Sequence, residues 1–369
     1  MWFELKDPDQ VPSPSLLLYP DRIAANIQTM IQLAGSAERL VPHVKTHKMA
    51  EVVRMQLAAG ITKFKCATIA EAEMLADAGA TWVLLAYQLV GPNLKRYLDL
   101  AEAFHHVQFG SLVDSRETAT ALNEHYHQAN KTAIVFIDVN NGMDRSGHPV
   151  DEDLEALYHF VLKLPNLRLL GLHVYDGHIR DENFDVRKTN SDQAFGHIDQ
   201  LRQNLGKAQL PDPIIIAGGS PTFNVHVLRD GIYCSPGTCL LWDWGYGDRF
   251  LDQPFQHAAV LLTRVISKPS PGIVTVDLGH KAVSAENPID LRFRFLNLND
   301  YRLRSQSEEH GVVEVPSSTW EEMKAGDVLY ALPYHICPTV ALHAKAYVIQ
   351  EGTCSETWEV VARSRQLTY

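Results

Sequence analysis

Two lysines and two histidines lie close together near the N-terminus, in the segment Pro-His-Val-Lys-Thr-His-Lys at positions 42–48. If the strand expected before it continues, His43, Lys45 and His47 share one face, because successive side chains of a strand alternate. A lysine that faces a sheet interior is costly unless it is deprotonated or hydrogen-bonded. Two interpretations remain open: a solvated basic loop, or a Schiff-base lysine whose pKa is lowered by burial and cationic neighbours.

Two glycine-rich segments are suited to phosphate binding. Ala-Gly-Gly-Ser-Pro-Thr occupies positions 217–222, and Ser-Pro-Gly-Thr occupies positions 235–238. Such segments present backbone N–H groups and hydroxyls to an anion, although Gly and Ser also fill ordinary turns. The occurrence of two of them favours a phosphate site, for which the candidate residues are Gly218, Gly219, Ser220, Thr222, Gly237 and Thr238.

His335 and Cys337 are separated by one residue in the segment Tyr-His-Ile-Cys-Pro. We expect this segment to be a strand, in which both side chains lie on one face. Imidazole and thiolate together select Zn²⁺ over Mg²⁺ or Mn²⁺, and two protein ligands leave coordination positions open for a substrate. In isolation a cysteine near a histidine is more often a packing contact, so the pair alone does not establish a metal site.

Further candidate residues follow apolar runs. Arg145 lies in the glycine-bounded segment 142–147 and is either a surface arginine or a fixed cation for a phenolate or carboxylate. Tyr175, in Tyr-Asp-Gly-His, either bonds a heterocycle nitrogen or caps the strands. His43, Thr68 and Gln88 follow other predicted strands, and we expect them in the substrate pocket.

Composition excludes several classes of protein. The chain has 369 residues and a formal net charge of −11, which argues against binding to nucleic-acid phosphates. No apolar run approaches the ~18 residues of a membrane span, and the N-terminus lacks the pattern of a secretory signal. Five cysteines, an odd number, form no disulfide framework. We expect a soluble, cytoplasmic protein with no nucleic-acid or membrane partner.

Strand-like runs alternate with helix-like segments over residues 20–250. The predicted strands are Leu40–Lys45, Lys63–Ala67, Trp82–Tyr87, Val107–Val113, Ala133–Val139, Leu167–Val174, Pro213–Ala217 and Gly231–Ser235. Eight such alternations predict a (β/α)8 TIM-type barrel rather than an open doubly wound sheet. Active sites of these barrels lie at the C-terminal ends of the strands, where most of the candidate residues fall.

The remaining chain has a different pattern of predicted secondary structure. After about residue 250, short strand-like runs follow one another with little helix between them. These runs are Val260–Ile266, Ile273–Asp277, Val312–Val315, Asp327–Leu332, Ala346–Ile349 and Trp358–Arg363. We expect residues 251–369, together with residues 1–19, to form a smaller antiparallel β domain that carries the His335–Cys337 pair.

Taken in order, these motifs resemble those of the pyridoxal-phosphate enzymes with an alanine-racemase-like barrel, fold type III. They resemble most closely the D-serine dehydratase and D-threonine aldolase family. The resemblance covers nearly the whole chain: it includes Pro-Ser-Leu at 14–16, the segment at 42–48, Ala-Thr-Ile-Ala-Glu-Ala-Glu at 67–73, the motifs at 142–147 and 175–178, and His-Ile-Cys at 335–337.

The resemblance implies a role for each candidate. Lys45 holds pyridoxal 5'-phosphate as a Schiff base and, once freed, removes the Cα proton. Arg145 bonds the phenolic oxygen of the ring, Tyr175 lies at the ring, and the two glycine-rich segments hold the phosphate. The cofactor is an electron sink for a carbanion at Cα, and the family pairs as homodimers.

The resemblance leaves two reactions open. In the dehydratases, zinc held by His and Cys makes the β-hydroxyl a better leaving group, and the product is a 2-oxo acid. In the aldolases, a His-x-Asp pair holds Mn²⁺ or Mg²⁺, and cleavage of Cα–Cβ gives glycine and an aldehyde. Cys337 favours dehydration of D-serine, D-threonine or D-3-hydroxyaspartate, whereas the segment at 338–343 looks more like an aldolase.

Two further readings of the same barrel are a non-catalytic pyridoxal-phosphate carrier and an amino acid racemase. Carriers of this type generally lack a second domain. A racemase would use a tyrosine base such as Tyr334 or Tyr347, and it gives the His335–Cys337 pair no function. We therefore expect a lyase.

Overall fold

The structure is a computed structural model that describes residues 1–369. It contains two compact units, which are described separately. The barrel unit consists of Met30–Lys45, Val53–Gly237 and Ser364–Tyr369, and the β unit consists of Met1–Thr29, Thr46–Val52 and Thr238–Arg363. The domain boundaries expected from the sequence, 20–250 against 1–19 with 251–369, stay a prediction.

Seventeen strands and eleven α-helices make up the fold. The strands are β1 (Ser15–Leu18), β2 (Lys63–Cys66), β3 (Trp82–Gln88), β4 (Gln108–Val113), β5 (Ala133–Asn140), β6 (His148–Pro149), β7 (Leu167–Tyr175), β8 (Ile214–Ala217), β9 (Ile232–Cys234), β10 (Ala259–Ser270), β11 (Ile273–Val276), β12 (Phe293–Phe295), β13 (Arg302–Gln306), β14 (Gly311–Glu314), β15 (Val328–Pro333), β16 (Lys345–Gln350) and β17 (Thr353–Glu359). The helices are α1 (Pro20–Ala34), α2 (Ala50–Ala58), α3 (Ile69–Asp77), α4 (Asn93–Ala103), α5 (Arg116–Gln128), α6 (Glu152–Leu162), α7 (Phe184–Lys207), α8 (Phe223–His226), α9 (Trp244–Gly247), α10 (Ser317–Glu322) and α11 (Ile336–Leu342). None of these helices has both the length and the apolar character needed to cross a bilayer.

The barrel unit contains one parallel sheet in the order β2-β3-β4-β5-β7-β8-β9, with the short β6 added to β5. Seven of the eight predicted strands are therefore present. The sheet closes through residues 40–43, which we call the closing segment. It makes two isolated parallel bridges, Leu40 with Cys234 of β9 and His43 with Lys65 of β2.

The first predicted strand is the exception. Instead of a strand over Leu40–Lys45, the chain forms two bridges and then one turn of 3-10 helix over Val44–Thr46. The expectation that His43, Lys45 and His47 alternate along one strand is therefore wrong. The closing segment keeps only a few ladder bonds, among them the N–H of Lys65 donating to the carbonyl of Pro42 at 2.9 Å.

Capping and apolar packing explain why the barrel elements begin where they do. Four barrel helices follow an N-cap residue whose side-chain oxygen accepts a backbone N–H of the first turn. These N-cap residues are Thr68 before α3, Ser115 before α5, Asp151 before α6 and Asn183 before α7. Each such cap contributes about 1 kcal/mol. The strands pack inward on a core cluster of Val41, Leu84, Leu112, Phe136 and Ile216.

The β unit contains a nine-stranded sheet with the main order β13-β14-β11-β10-β1-β16-β17, and β15 pairs with both β10 and β12. The pairs are antiparallel except for β1 with β16. The N-terminal strand β1 thus lies in the middle of the C-terminal sheet, where Leu17 joins Val260, Leu262 and Ile349 in a buried cluster. The predicted barrel with a second, smaller and mainly antiparallel β domain is confirmed.

Two local expectations in the β unit are wrong, and two strands were missed. The run Trp358–Arg363 is not a strand: β17 ends at Glu359, and Val361–Arg363 is a 3-10 turn. Strands β12 and β13 carry several Arg and polar residues and were not predicted. His335 and Cys337 are not on a strand either, because α11 begins at Ile336 and places Pro338 in its first turn, where a missing N–H costs nothing.

Candidate active site

A cavity of about 610 Å³ lies at the C-terminal ends of the barrel strands, a volume typical of a small-molecule site. It is lined by five of the predicted residues, which are His43, Lys45, Gln88, Arg145 and Tyr175. These residues come from the closing segment and the 3-10 turn that follows it, from the ends of β3 and β7, and from the loop after β5. The barrel thus brings together side chains that are up to 132 positions apart in the chain.

Three cations surround the ring of Tyr175. The Nζ of Lys45 lies 5.9 Å from the ring centroid, the Nζ of Lys65 lies 5.5 Å from it, and the Cζ of Arg145 lies 4.7 Å from it. Cations are attracted to the face of an aromatic ring. Such a concentration of positive charge at the mouth of a barrel suits an anionic ligand.

The Arg145 loop is shaped by its asparagine and its glycines. The Oδ1 of Asn140 accepts the backbone N–H groups of Gly142 at 3.2 Å and of Asp144 at 3.0 Å. Gly147 has a φ of +97°, and a Cβ there would lie 2.6 Å from the backbone N of Asn140, so only glycine fits. The loop therefore holds Arg145 on a defined turn.

A buried polar group lies below this loop. Asp138 accepts hydrogen bonds from His173 Nδ1 at 2.7 Å, Gln88 Nε2 at 2.9 Å and Ser146 Oγ at 3.0 Å. Burial opposes ionisation of Asp138, but the hydrogen bond and charge of His173, with the other two donors, lower the pKa of this carboxyl. Burial, and then the charge of Lys65, lower the pKa of His173. The arrangement thus favours the charged form of Asp138 and disfavours the charged form of His173.

Lys65 is a cavity residue that the sequence analysis missed. Its side chain belongs to β2, the residue is 2% exposed, and its Nζ lies 3.4 Å from His173 Nε2. Burial, and then the charge of Lys45, lower the pKa of Lys65 to about 7. A lysine inside the apolar run Phe-Lys-Cys of a parallel strand was the available signal, because such strands are buried on both faces.

The two predicted phosphate segments are joined and tightly packed. The Oγ of Ser220 accepts the N–H of Gly237 at 3.1 Å. Gly218 has a φ of +73°, and a Cβ there would lie 2.4 Å from the ring of His226. A Cβ on Gly219 would lie 2.8 Å from the ring of Tyr175. Glycine is required at both positions because the backbone passes so close to these rings.

The hydroxyl of Thr222 is hydrogen-bonded to another buried side chain of the protein. Its Oγ1 donates to Asp176 Oδ1 at 2.6 Å, and His226 Nε2 lies 2.8 Å from the other oxygen of the same carboxylate. Burial raises the pKa of Asp176, but the charge and hydrogen bond of His226 outweigh this effect and lower it. Thr222 therefore anchors the loop to a buried carboxylate.

The barrel residues fit a phosphorylated aromatic aldehyde, the chemical description of pyridoxal phosphate. Lys45 supplies a half-buried amine and Arg145 a fixed cation. The glycines at 218 and 219 leave a close backbone approach, and the buried Oγ of Ser235 in the following loop has no hydrogen-bond partner in the structure. An orphaned buried hydroxyl of this kind is expected where a ligand oxygen belongs.

Thr68 lies apart from the other pocket candidates. Its hydroxyl accepts the N–H of Glu71 at 3.1 Å as the N-cap of α3. It lines a separate cavity of about 170 Å³. His43, in contrast, lines the main cavity, and its Nδ1 accepts the backbone N–H of Lys45 at 3.3 Å.

In the β unit, His335 and Cys337 do meet across the start of α11. The Cys337 Sγ lies 3.2 Å from Thr46 Oγ1 and 3.5 Å from Thr238 Oγ1. The His335 Nδ1 lies 2.6 Å from Glu286 Oε1, and its side chain is 46% exposed. Desolvation opposes the charged ring, but hydrogen bonding to Cys337 and the charges of Cys337 and Asp243 raise the pKa of His335 to about 9.

Imidazole and thiolate are ligand types that bind zinc, and His335 and Cys337 together supply two protein ligands. Zinc-binding histidines usually donate their second ring N–H to a carboxylate, as His335 does to Glu286. Asp243 accepts the N–H of Ile336 at 3.0 Å and so fixes the start of the helix. No group of three or more His, Cys, Asp or Glu side chains is arranged to hold a metal ion.

Comparison with known families agrees with this geometry. The model described as "Alanine racemase, N-terminal domain" matches residues 19–242. The model described as "Putative serine dehydratase domain" matches residues 258–349. The first match includes the residues that line the barrel cavity, and the second includes His335 and Cys337.

Relatives of known activity match over nearly the whole chain. A D-threonine aldolase of Arthrobacter sp is 28% identical over 96% of this chain and 93% of its own length. A D-threo-3-hydroxyaspartate dehydratase of Delftia sp. (strain HT23) is 24% identical over 94% of this chain and 96% of its own length. Aldolases and dehydratases of this kind are lyases, so the predicted enzyme class is confirmed.

A solved structure shows the same architecture. The crystal structure of D-threonine aldolase from Filomicrobium marinum has a TM-score of 0.86 and 28% identity, with coverage of 96% of this chain and 95% of that chain. Together with the match over residues 19–242, this likeness confirms the family expected from the motifs. The protein belongs to the alanine racemase N-terminal domain family, in the branch that adds a serine dehydratase domain.

Proposed function

We propose that this protein is a pyridoxal-phosphate-dependent lyase that acts on D-β-hydroxy-α-amino acids. The observation that carries the proposal is the convergence of Lys45 and Arg145 on the ring of Tyr175 in one barrel cavity. The names of the relatives support it, since they include a D-threonine aldolase, two 3-hydroxy-D-aspartate aldolases and a D-threo-3-hydroxyaspartate dehydratase.

Each barrel residue has a distinct task in this proposal. Lys45 Nζ holds the cofactor and moves the proton at Cα. Arg145 donates to the phenolic oxygen, and Tyr175 supports the ring. Backbone N–H groups of the joined loops hold the phosphate through the candidate residues Gly218, Gly219, Ser220, Thr222, Gly237 and Thr238, with Thr222 anchored on Asp176.

The bound groups supply two kinds of chemistry: pyridoxal phosphate is an electron sink for negative charge at Cα, and a divalent cation is a Lewis acid for the β-hydroxyl oxygen. His335 and Cys337 would hold the cation, with Glu286 orienting the imidazole. The Cys337 sulfur lies beside two threonine hydroxyls, and thiolate is the form of cysteine that binds metal.

We propose dehydration as the reaction, with Zn²⁺ as the cation. The His-x-Cys donor set supports this choice because thiolate selects zinc over harder ions. Elimination of water, followed by hydrolysis of the released imino acid with loss of ammonia, would yield a 2-oxo acid.

The second candidate reaction is retro-aldol cleavage to glycine and an aldehyde, with Mn²⁺ or Mg²⁺ as the alternative cation. It is favoured by the similarity to D-threonine aldolases, at 28% identity in both the curated relative and the solved structure. The homodimer and the cytoplasmic location expected from the sequence stay predictions.

Product identification tests the proposal. The protein is loaded with pyridoxal phosphate and incubated with D-serine and D-threonine in the presence of Zn²⁺, Mn²⁺ or a chelator. Pyruvate or 2-oxobutyrate indicates dehydration, and glycine with acetaldehyde indicates cleavage. Lys45→Ala should lower the rate by at least about 10³-fold and remove the visible band of the cofactor, whereas Lys63→Ala, on the same unit but outside the cavity, should retain both. Failure to turn over any D-β-hydroxy amino acid would contradict the proposal.

A variant of the metal pair separates the two reactions. Cys337→Asp replaces a soft ligand with a hard one, so the metal that restores activity after chelation should change from Zn²⁺ to Mn²⁺ or Mg²⁺. Metal reconstitution followed by rate measurement checks this expectation. An unchanged requirement for zinc in the variant would show that Cys337 is not a ligand.

A further inference from the structure

The cavity holds a second buried amine in addition to that of Lys45. Lys65 lines the cavity, and the one hydrogen-bond partner of its side-chain amine is His173 Nε2, at 3.4 Å. No carboxylate forms an ion pair with it, although it is 2% exposed. A buried lysine without an ion-pair partner is costly. Its place in the fold therefore needs a reason outside the stability of the barrel.

The side chains behind Lys65 fix its orientation. His173 donates from Nδ1 to Asp138 at 2.7 Å, so its Nε2 is the acceptor that faces Lys65. Asp138 in turn is held by Gln88 and Ser146. One N–H of Lys65 is thereby directed at His173, and the rest of the amine faces the cavity.

The charged groups around Lys65 have opposite effects on its pKa. Lys45 and Arg145 disfavour its ammonium form, and Asp138 and Asp176 favour it. His173 and the ring of Tyr175 are the other titratable groups beside it. Burial is the largest influence, and it lowers the pKa to about 7. An anion bound beside the amine would raise this pKa again, so anion binding would draw a proton onto Lys65.

The position of Lys65 indicates which part of a ligand it meets. Lys65 and Arg145 both line the cavity and both lie within 6 Å of the Tyr175 ring centroid. The phosphate candidates in the loops after β8 and β9 are not among the residues that line this cavity. Lys65 therefore lies with the ring-binding residues and not with the phosphate-binding loops.

We propose that Lys65 is a further cofactor-binding residue, which donates together with Arg145 to the anionic phenolic oxygen of the pyridoxal ring. His173 and Asp138 are positioning residues that hold its amine. This inference rests on the proposed function, since it takes pyridoxal phosphate as the ligand. Two donors on one anionic oxygen stabilise it more than one does, and charge-assisted hydrogen bonds are the stronger kind.

The test uses cofactor binding and absorbance instead of turnover. Apoprotein is titrated with pyridoxal phosphate, and both the dissociation constant and the pH midpoint of the visible band are measured. Lys65→Met should weaken binding by roughly tenfold or more. Loss of a cation beside the cofactor should also raise the pH midpoint of the band by about one unit. Lys63→Met, on the same strand but outside the cavity, is the matched control and should behave as the natural protein.

A second variant covers the case in which Lys65→Met does not fold. Lys65→Arg keeps the positive charge at every pH used, so binding should stay within about threefold of the natural protein at pH 7. We expect the affinity of the natural protein to decline as Lys65 loses its proton above pH 7, and this decline should be absent from the variant.

Equal dissociation constants and equal pH midpoints for Lys65→Met and Lys63→Met would overturn the inference, as would an unchanged pH dependence in Lys65→Arg. In those cases the natural protein still shows a visible band with pyridoxal phosphate, and the proposed function survives. Absence of that band from the natural protein would overturn both.

Discussion

The barrel cavity and the His335–Cys337 pair differ in how their functional side chains are held. In the cavity, Gln88 and Arg145 lie on a network whose members are themselves fixed by Asp138 and Asn140. In the β unit, His335 is 46% exposed and has one carboxylate behind it. The first site is built before any ligand arrives. The second is a pair of donors whose geometry a metal ion would complete.

The difference follows from the elements that carry each site. Parallel strands buried on both faces fix side chains through neighbours on adjacent strands. The start of a short helix fixes only the residues of its first turn, here through Asp243 and the N–H of Ile336. We therefore expect mutations in the barrel network to affect folding and binding together, and mutations near the metal pair to affect binding alone.

Asp176→Asn should give the largest effect on stability. It leaves His226 and Thr222 without their buried carboxylate, a change that costs about 3–5 kcal/mol. Because the pKa of Asp176 is lowered, its stabilisation is present above the ordinary value of 3.8 and is lost as the pH falls below it. Urea unfolding between pH 3 and pH 7 measures this dependence, which the variant should lack.

The control for this variant is Asp199→Asn, which changes a carboxylate that is 54% exposed. It should alter the free energy of unfolding by about 0.5 kcal/mol or less. Equal losses in the two variants would show that the buried contacts of Asp176 with Thr222 and His226 have no special role in stability.

Lys65→Met should change the pH dependence of stability in the apoprotein. The unfolded chain keeps the lysine proton up to its ordinary pKa of 10.5, whereas the folded chain releases it at about 7. The unfolded state therefore binds more protons between these values, and the natural protein gains stability relative to the variant by roughly 5 kcal/mol as the pH rises through this window. Denaturant unfolding at several pH values measures the difference. A difference that does not vary with pH would contradict the lowered pKa.

Glu286→Gln should have a smaller effect, confined to the metal pair. The carboxylate accepts from His335 Nδ1 and is held by the hydroxyl of Ser284. Loss of such an orienting partner typically weakens metal binding by about 10–100-fold. Zinc titration against a competing chelator measures it, with the exposed Glu309→Gln as control. Unchanged zinc affinity together with a large loss of stability would contradict the expectation that variants near His335 and Cys337 affect binding alone.

Thr68→Ala should have the smallest effect. Its hydroxyl caps α3, so the variant should lose about 1 kcal/mol of stability, and Thr68→Ser should restore it. Michaelis constants should not change, because the residue does not line the main cavity. A raised Michaelis constant at unaltered stability would return Thr68 to the substrate pocket, where the sequence analysis placed it.

Sequence periodicity was sufficient for seven barrel strands and for the residues at their ends. It failed where local geometry decides. Pro338 can occupy the first turn of a helix, so the same letters fit a strand or a helix start, and His335 and Cys337 were assigned to the wrong element although their side chains do meet. Lys65 was missed because a lysine in an apolar run was not treated as a signal, and its meaning depends on His173, more than 100 residues away.

The closing segment gives the bound cofactor a mechanical role. Residues 40–43 connect β9 to β2 with only two bridges, and Lys45 follows directly. A molecule attached to that lysine and also held by the loops after β8 and β9 would link the two edge strands of the sheet, β9 and β2, where few backbone hydrogen bonds connect them. Cofactor binding should therefore slow amide hydrogen exchange in residues 40–45 more than in β5 or β7. The cofactor would then stabilise the closure of the barrel in addition to its chemical role.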